Sequence, residues 1–228
     1  MPILNDWDLK IDADQVIRGQ GADPAAIRSR SPRLVEYAER AILGGTSLIN
    51  PELLFRRMTI ERVVHERISL EGGDEMRGKF LAEHLAPATE VLVILCTIGA
   101  DLEEKASQVM SSDPIYGLAL DGLGSAAVEA LANAACRRFE LETEERRLEA
   151  SIPLSPGMQD WLVEEGQSLI FKLLPAEDIG VSVTSSWIML PRKSLSMVIG
   201  IGEKMTRVGT TCDYCNMRET CRYKNHDA

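Results

Sequence analysis

Glu90-Val91-Leu92-Val93-Ile94-Leu95-Cys96-Thr97-Ile98-Gly99-Ala100-Asp101 is the stretch from which the fold is read. Residues 91–95 form an unbroken apolar run of strand length, which predicts a central strand buried on both faces. The run passes straight into Gly99, whose missing Cβ lets the backbone swing into a helix predicted over residues 101–110. Such a junction presents backbone N–H groups at a helix start, which suits a ligand anion, although every α/β fold contains several.

Working upstream, residues 74–84 read as a helix. Residues 53–70, with Ile60, Val63, Val64 and Ile68, read as one long strand or two with a kink, ended by Gly72-Gly73. Leu34, Val35, Ala38, Ala41 and Ile42 recur at helical spacing over 33–43, and Gly44-Gly45 closes that helix. Residues 9–12 read as a short strand, 14–19 as a helix and 24–32 as a polar connection.

Downstream, Asp113 is a good N-cap with Pro114 at the first helical position, so the longest helix is predicted from there to residue 147. Its first half carries Gly117, Gly122, Gly124, Ser125, Ala126 and Ala127. So small a surface serves either tight packing or a flat ligand lying close. Glu129 falls within that run and is either solvated or aimed at a ligand. The charge-dense second half reads as exposed, with i,i+4 pairing. Prolines hold residues 152–158 out of helix and central strand. An amphipathic helix over 159–174 and a hairpin of strands 181–189 and 194–202 about Pro191 complete the chain, with no internal repeat.

With 228 residues, 45% hydrophobic and 26% charged, the chain is long and apolar enough for one sizeable core. No basic-then-apolar start and no run of eighteen apolar residues appear, so neither a signal peptide nor a membrane span is expected. An odd cysteine count without an export signal points to a cytoplasmic protein. The net charge of −10 argues against general nucleic-acid binding, because phosphate backbones reward clustered Lys and Arg.

The densest chemistry lies at the end, where Cys212, Cys215 and Cys221 follow the spacing Cys-x2-Cys-x5-Cys in a polar tail that continues to His226. So short a polar run offers no core for three thiols, which makes metal ligation or redox chemistry the first reading. His226 completes a Cys3His zinc set; an iron-sulfur cluster instead requires Cys96 or Cys136 as a fourth thiolate, or leaves one iron open. A disulfide or plain surface thiols are the alternatives. His65, His84 and Ser155 lack a nucleophile context and read as packing or surface residues. Cys96 and Cys136 read as buried.

The succession Thr97-Ile98-Gly99, Leu120-Asp121-Gly122-Leu123-Gly124-Ser125-Ala126-Ala127-Val128-Glu129, Ser155-Pro156-Gly157, Leu173-Leu174, Ile179-Gly180-Val181 and Leu195-Ser196 resembles the reactivation domain of cobalamin-dependent methionine synthase and its free-standing relatives. The resemblance covers most of the chain. It implies an α+β fold: a single compact domain with a twisted, mainly antiparallel sheet, one long central helix and flanking helices. It divides the chain into an N-terminal extension (1–50), the reactivation-domain-like core (51–205) and the cysteine tail (206–228). It also implies S-adenosylmethionine binding, cobalamin carried by a corrinoid-binding protein or methyltransferase partner, and support of reductive methylation of cob(II)alamin.

Carried over residue by residue, the resemblance places ligand contacts at Pro156, Gly157 and Met158 and a carboxylate at Glu129. Two cationic handles expected of the family are absent, with Pro153 and Ala126 in their places, and Met158 replaces a tyrosine; Met158 either covers a ligand or is plain core. The tail lies outside the family pattern. Because cob(II)alamin is reactivated by one low-potential electron, and iron-sulfur clusters supply such electrons where zinc does not, the sequence points to an accessory redox protein for a corrinoid partner. An S-adenosylmethionine-using reactivase and a zinc-stabilised binding module are the other readings, and no independent catalytic motif appears.

Overall fold

The apolar run at residues 91–95 forms the middle of the molecule because its alternate side chains serve two separate cores. Leu92, Ile94 and Cys96 join one buried cluster, and Val91, Val93 and Leu95 join the other. The computed structural model describes residues 1–205, 209–216 and 218–219.

In chain order the first half comprises β1 (Ile3–Leu4), α1 (Ala13–Gly19), α2 (Pro24–Arg30), α3 (Arg33–Gly45), β2 (Glu52–Val64), β3 (Arg67–Leu70), β4 (Glu75–Arg77), α4 (Lys79–Leu85) and β5 (Glu90–Thr97). The second half comprises α5 (Asp101–Met110), α6 (Pro114–Glu145), β6 (Glu149–Ala150), α7 (Val163–Leu173), β7 (Ser182–Val183), β8 (Met189–Leu190) and β9 (Ser194–Gly202). The main sheet has seven strands in the order β4-β3-β2-β5-β9-β6, with β1 added on β2. Every pairing is antiparallel, and β5 sits between β2 (Leu95 opposite Leu54) and β9 (Leu95 opposite Ser196). This is the expected mixed fold: one domain, a curled antiparallel sheet and a long helix.

The 32-residue α6 lies on the Cys96 face, with α1, α3 and α5 against it. α4 and α7 cover the other face through Phe80, Leu81 and Ile170, joined by Trp161 just before α7. α6 is long and apolar enough to span a membrane, yet 61% of its apolar window is buried inside the molecule, as a core helix requires.

Several local expectations fail for identifiable reasons. Residues 9–12 are not a strand; Asp12 instead caps α1, exchanging hydrogen bonds with Gln15, while Ile3–Leu4 supplies the strand that pairs with β2. The polar connection at 24–32 contains α2, with Asp23 as N-cap and Pro24 inside its first turn. The helix expected over 74–84 begins only at Lys79, because residues 75–77 pair with β3 and the cap comes from far away. Asp160 accepts from the Lys79 N–H at 2.6 Å and the Phe80 N–H at 3.1 Å. α7 starts at Val163 rather than 159. The strands at 181–189 and 194–202 do not pair with each other: β7 pairs with β8 in a separate small sheet, and β9 enters the main sheet between β5 and β6.

Candidate functional site: the cysteine tail against the proline-glycine loop

After β6 the chain continues along the outer edge of β9. The Ser151 N–H donates to the Gly200 carbonyl at 2.8 Å, and Leu154 and Val198 exchange backbone bonds at 2.9 and 2.8 Å. It then turns through residues 155–158. Gly157 holds φ at +96°, a conformation that favours glycine, and its N–H donates to the Trp161 carbonyl at 2.8 Å. Pro156 is wedged against α7, where a Cβ on Gly166 would stand 2.6 Å from the proline ring. Met158 is only 5% exposed and belongs to the core cluster of the α7 face.

The first half of the cysteine tail docks on this turn. Thr210 and Asp213 form a reciprocal cap on a 3₁₀ turn over Thr211–Tyr214. The Thr210 backbone N–H and hydroxyl hold the Asp213 carboxyl below the usual carboxylate range. Cys215 makes an antiparallel bridge with Met158, and the Asn216 side-chain amide donates to the Gly157 and Gln159 carbonyls, both at 2.9 Å. The Tyr214 ring lies 5.1 Å from Phe80 and 4.8 Å, edge-on, from His84. Cys212 and Cys215 are both partly buried, with the Cys215 N–H donating to the Cys212 carbonyl at 3.3 Å. Pro156, Gly157, Met158 and Cys215, far apart in sequence, therefore form one neighbourhood.

Cys221 and His226 lie outside the described residues. The described part of the tail contains two thiols, Cys212 and Cys215. Among the described residues no three His, Cys, Asp or Glu side chains converge as a metal group. No disulfide joins the described cysteines to one another. The option that Cys96 or Cys136 supplies a fourth thiolate is overturned by the sheet itself. Cys96 is fully buried under α6 and Cys136 approaches Met197 at 3.8 Å, both on the face opposite the Phe80–Tyr214 contact. Burial pushes the Cys96 thiol up to about 12, which makes it a poor ligand and nucleophile.

The small-residue surface of α6 is largely explained by packing. A Cβ on Gly122 would stand 2.6 Å from the Val16 carbonyl of α1, and one on Gly117 2.9 Å from the Met110 backbone at the end of α5. Gly124 lies under the stem of Lys193, a residue that sequence reasoning passed over. The Lys193 ammonium reaches Asp121 at 2.9 Å and the Ser125 hydroxyl at 2.8 Å, and its side chain is 14% exposed. Its partner Ser125 immediately precedes Ala126 on α6, the position where the resemblance leads one to expect a cationic handle. The only signal for Lys193 was its place just before a strand.

Glu129 is partly buried. The contacts of Ser125 with Lys193 and of Cys136 with Met197 bracket it along α6, so its helical turn runs beside the first half of β9. The 155–158 turn follows the Leu154–Val198 bridge and packs on α7, on the other side of the sheet. There the buried Ser196 hydroxyl donates to the Gln167 side chain at 3.2 Å.

In overall fold the chain is similar to a solved structure of the MetH reactivation domain bound to AdoHcy, with a TM-score of 0.63 and 14% identity over 98% of this chain and 86% of that one. The likeness shows the fold. No family model matches the chain, and no curated protein matches it in sequence.

Proposed function

We propose that the chain is an accessory protein for reductive reactivation of a cytoplasmic corrinoid protein, with Cys212, Cys215 and Cys221 holding an iron-sulfur cluster. The fold likeness supports a role related to the S-adenosylmethionine site, since the similar domain is bound to AdoHcy. The observation that carries the finer reading is the bridge between Cys215 and Met158, reinforced by the Asn216 amide on the Gly157 and Gln159 carbonyls. It sets Cys215 beside the loop that, by resemblance, carries ligand contacts. When bound, the cluster supplies one low-potential electron, which takes cob(II)alamin to cob(I)alamin. The chain's own part is to hold the tail on the turn through Tyr214 and Asn216 and to present Pro156 and Gly157, with Met158 as the buried support of the turn and Glu129 on α6.

The test is reduction of cob(II)alamin by anaerobically purified, chemically prereduced protein, followed by the visible absorption of the corrin. Electron transfer that disappears in Cys215→Ser supports the reading, and transfer unchanged in that variant removes it. A second reading, binding of S-adenosylmethionine, is favoured by the AdoHcy of the similar structure and by Lys193 near the helix position of the lost handle. Calorimetry distinguishes the two, since saturable heat lost in Lys193→Ala belongs to the second reading alone.

A further inference from the structure

We infer that the outward face of the β2–β3–β4 lobe binds a small molecule bearing two linked phosphates, in an arginine-lined cleft apart from the cysteine tail and the 155–158 turn. The strands of this lobe alternate. Ile68, Leu70 and Met76 belong to the core of the α7 face, and the residues between them point outward. On the outward face a cleft of about 480 Å³, within the range of small-molecule sites, is lined by Arg62, Val64, His65, Arg67 and Arg77, with Glu66 as the carboxylate of the lining. Three guanidinium groups against one carboxylate leave the lining cationic in a chain whose net charge is −10.

The backbone register, independently of the cleft, sets the arginines against one another. Arg67 stands directly opposite Arg77 on the neighbouring strand, where like charges oppose pairing, and Arg62 stands opposite Ser69, one diagonal step from Arg67. Glu75 relieves this only in part, because one oxygen, Oε2, serves both Arg77 at 3.1 Å and Arg67 at 3.6 Å. Arg62 has no ion pair with any described residue. Each guanidinium carries five N–H donors, so a single carboxylate oxygen leaves most donors of the three forks to solvent or a ligand. All the cations of the lining other than His65 are arginine, whose planar fork meets phosphate oxygens two at a time. Adjacent strands lie about 4.8 Å apart, so guanidinium groups on three strands spread over roughly 10 Å, a span that suits two linked phosphates better than one. No Phe, Tyr or Trp lines the cleft, so the phosphates rather than an attached ring are what it recognises.

Calorimetric titration of the full chain in metal-free buffer of fixed ionic strength, with pyrophosphate, orthophosphate and poly-glutamate in separate runs, tests the site. The expected result is saturable binding of pyrophosphate, binding of orthophosphate roughly tenfold weaker, and a loss of about fivefold or more in each of Arg62→Gln and Arg77→Gln. Arg28→Gln, which changes an exposed arginine of α2 paired with Asp14, should leave the binding unchanged. Absence of saturable pyrophosphate binding, binding that survives both cleft variants, an equal loss in Arg28→Gln, or binding of poly-glutamate in place of pyrophosphate overturns it. Arg62 and Arg77 are both exposed, and either variant alone tests the proposal should the other fail to fold.

Discussion

Cys96 and Cys215 lie on opposite sides of one sheet, and their surroundings differ in the way a structural thiol differs from a usable one. Cys96 ends the central strand beneath α6, fully buried, where desolvation opposes the thiolate. Cys215 bridges a turn near the surface, partly buried, within a polar segment held by Asn216 and Tyr214. Gly117 and Gly122 of α6 are closed by backbone contacts from α5 and α1, whereas the α7 face carries the turn and the described part of the tail.

The largest contrast is expected in thiol reactivity. Burial pushes the Cys96 thiol up to about 12, which keeps it protonated at pH 8, and burial lowers access further. In chelator-treated native protein, iodoacetamide should label Cys212 and Cys215 and spare Cys96, as read by mass spectrometry of peptides. Labelling of Cys96 at a comparable rate breaks the contrast. Next comes Gly19→Ala, whose Cβ would stand 2.1 Å from the Gly122 carbonyl. It should destabilise the fold by about 3 kcal/mol in urea denaturation, because backbone on both sides cannot give way.

Asp160→Ala removes the remote cap of α4 and should cost about 1–2 kcal/mol by the same measurement. Asn216→Ala should cost less than about 1 kcal/mol of global stability, yet it should speed proteolytic removal of the tail, which separates anchoring from folding. The smallest effect is in acid. The Arg146 guanidinium, donating to Glu90, holds that carboxyl below its ordinary range. The contribution of the pair is therefore complete above the ordinary carboxylate range and is lost as pH falls through the lowered folded value. Glu90→Gln should flatten that part of the stability profile between neutral pH and about pH 3, and an unchanged acid limb contradicts the assignment.

The central strand, the long helix and its Asp113-Pro114 start were legible because each rests on local periodicity or capping, which the chain states within a few residues. The continuous apolar run correctly implied burial on both faces, within the antiparallel sheet that the resemblance implied. What was not legible depends on distant partners. The start of α4 is set by Asp160, the use of 194–202 in the main sheet by β5, and the glycines of α6 by Val16 and Met110. In the site, the tail cysteines and the Pro156-Gly157-Met158 turn were each visible in sequence, but their contact was not, since no spacing rule joins segments so far apart along the chain. Lys193 escaped for the same reason, because its partners Asp121 and Ser125 lie on another element.

Metal and acid-labile sulfide analysis of the full chain purified without oxygen, joined to electron paramagnetic resonance, tests the redox reading of the tail most directly. Iron and sulfide with a visible charge-transfer band, lost in Cys212→Ser, is the expected result. Stoichiometric zinc with no iron and no such band contradicts it.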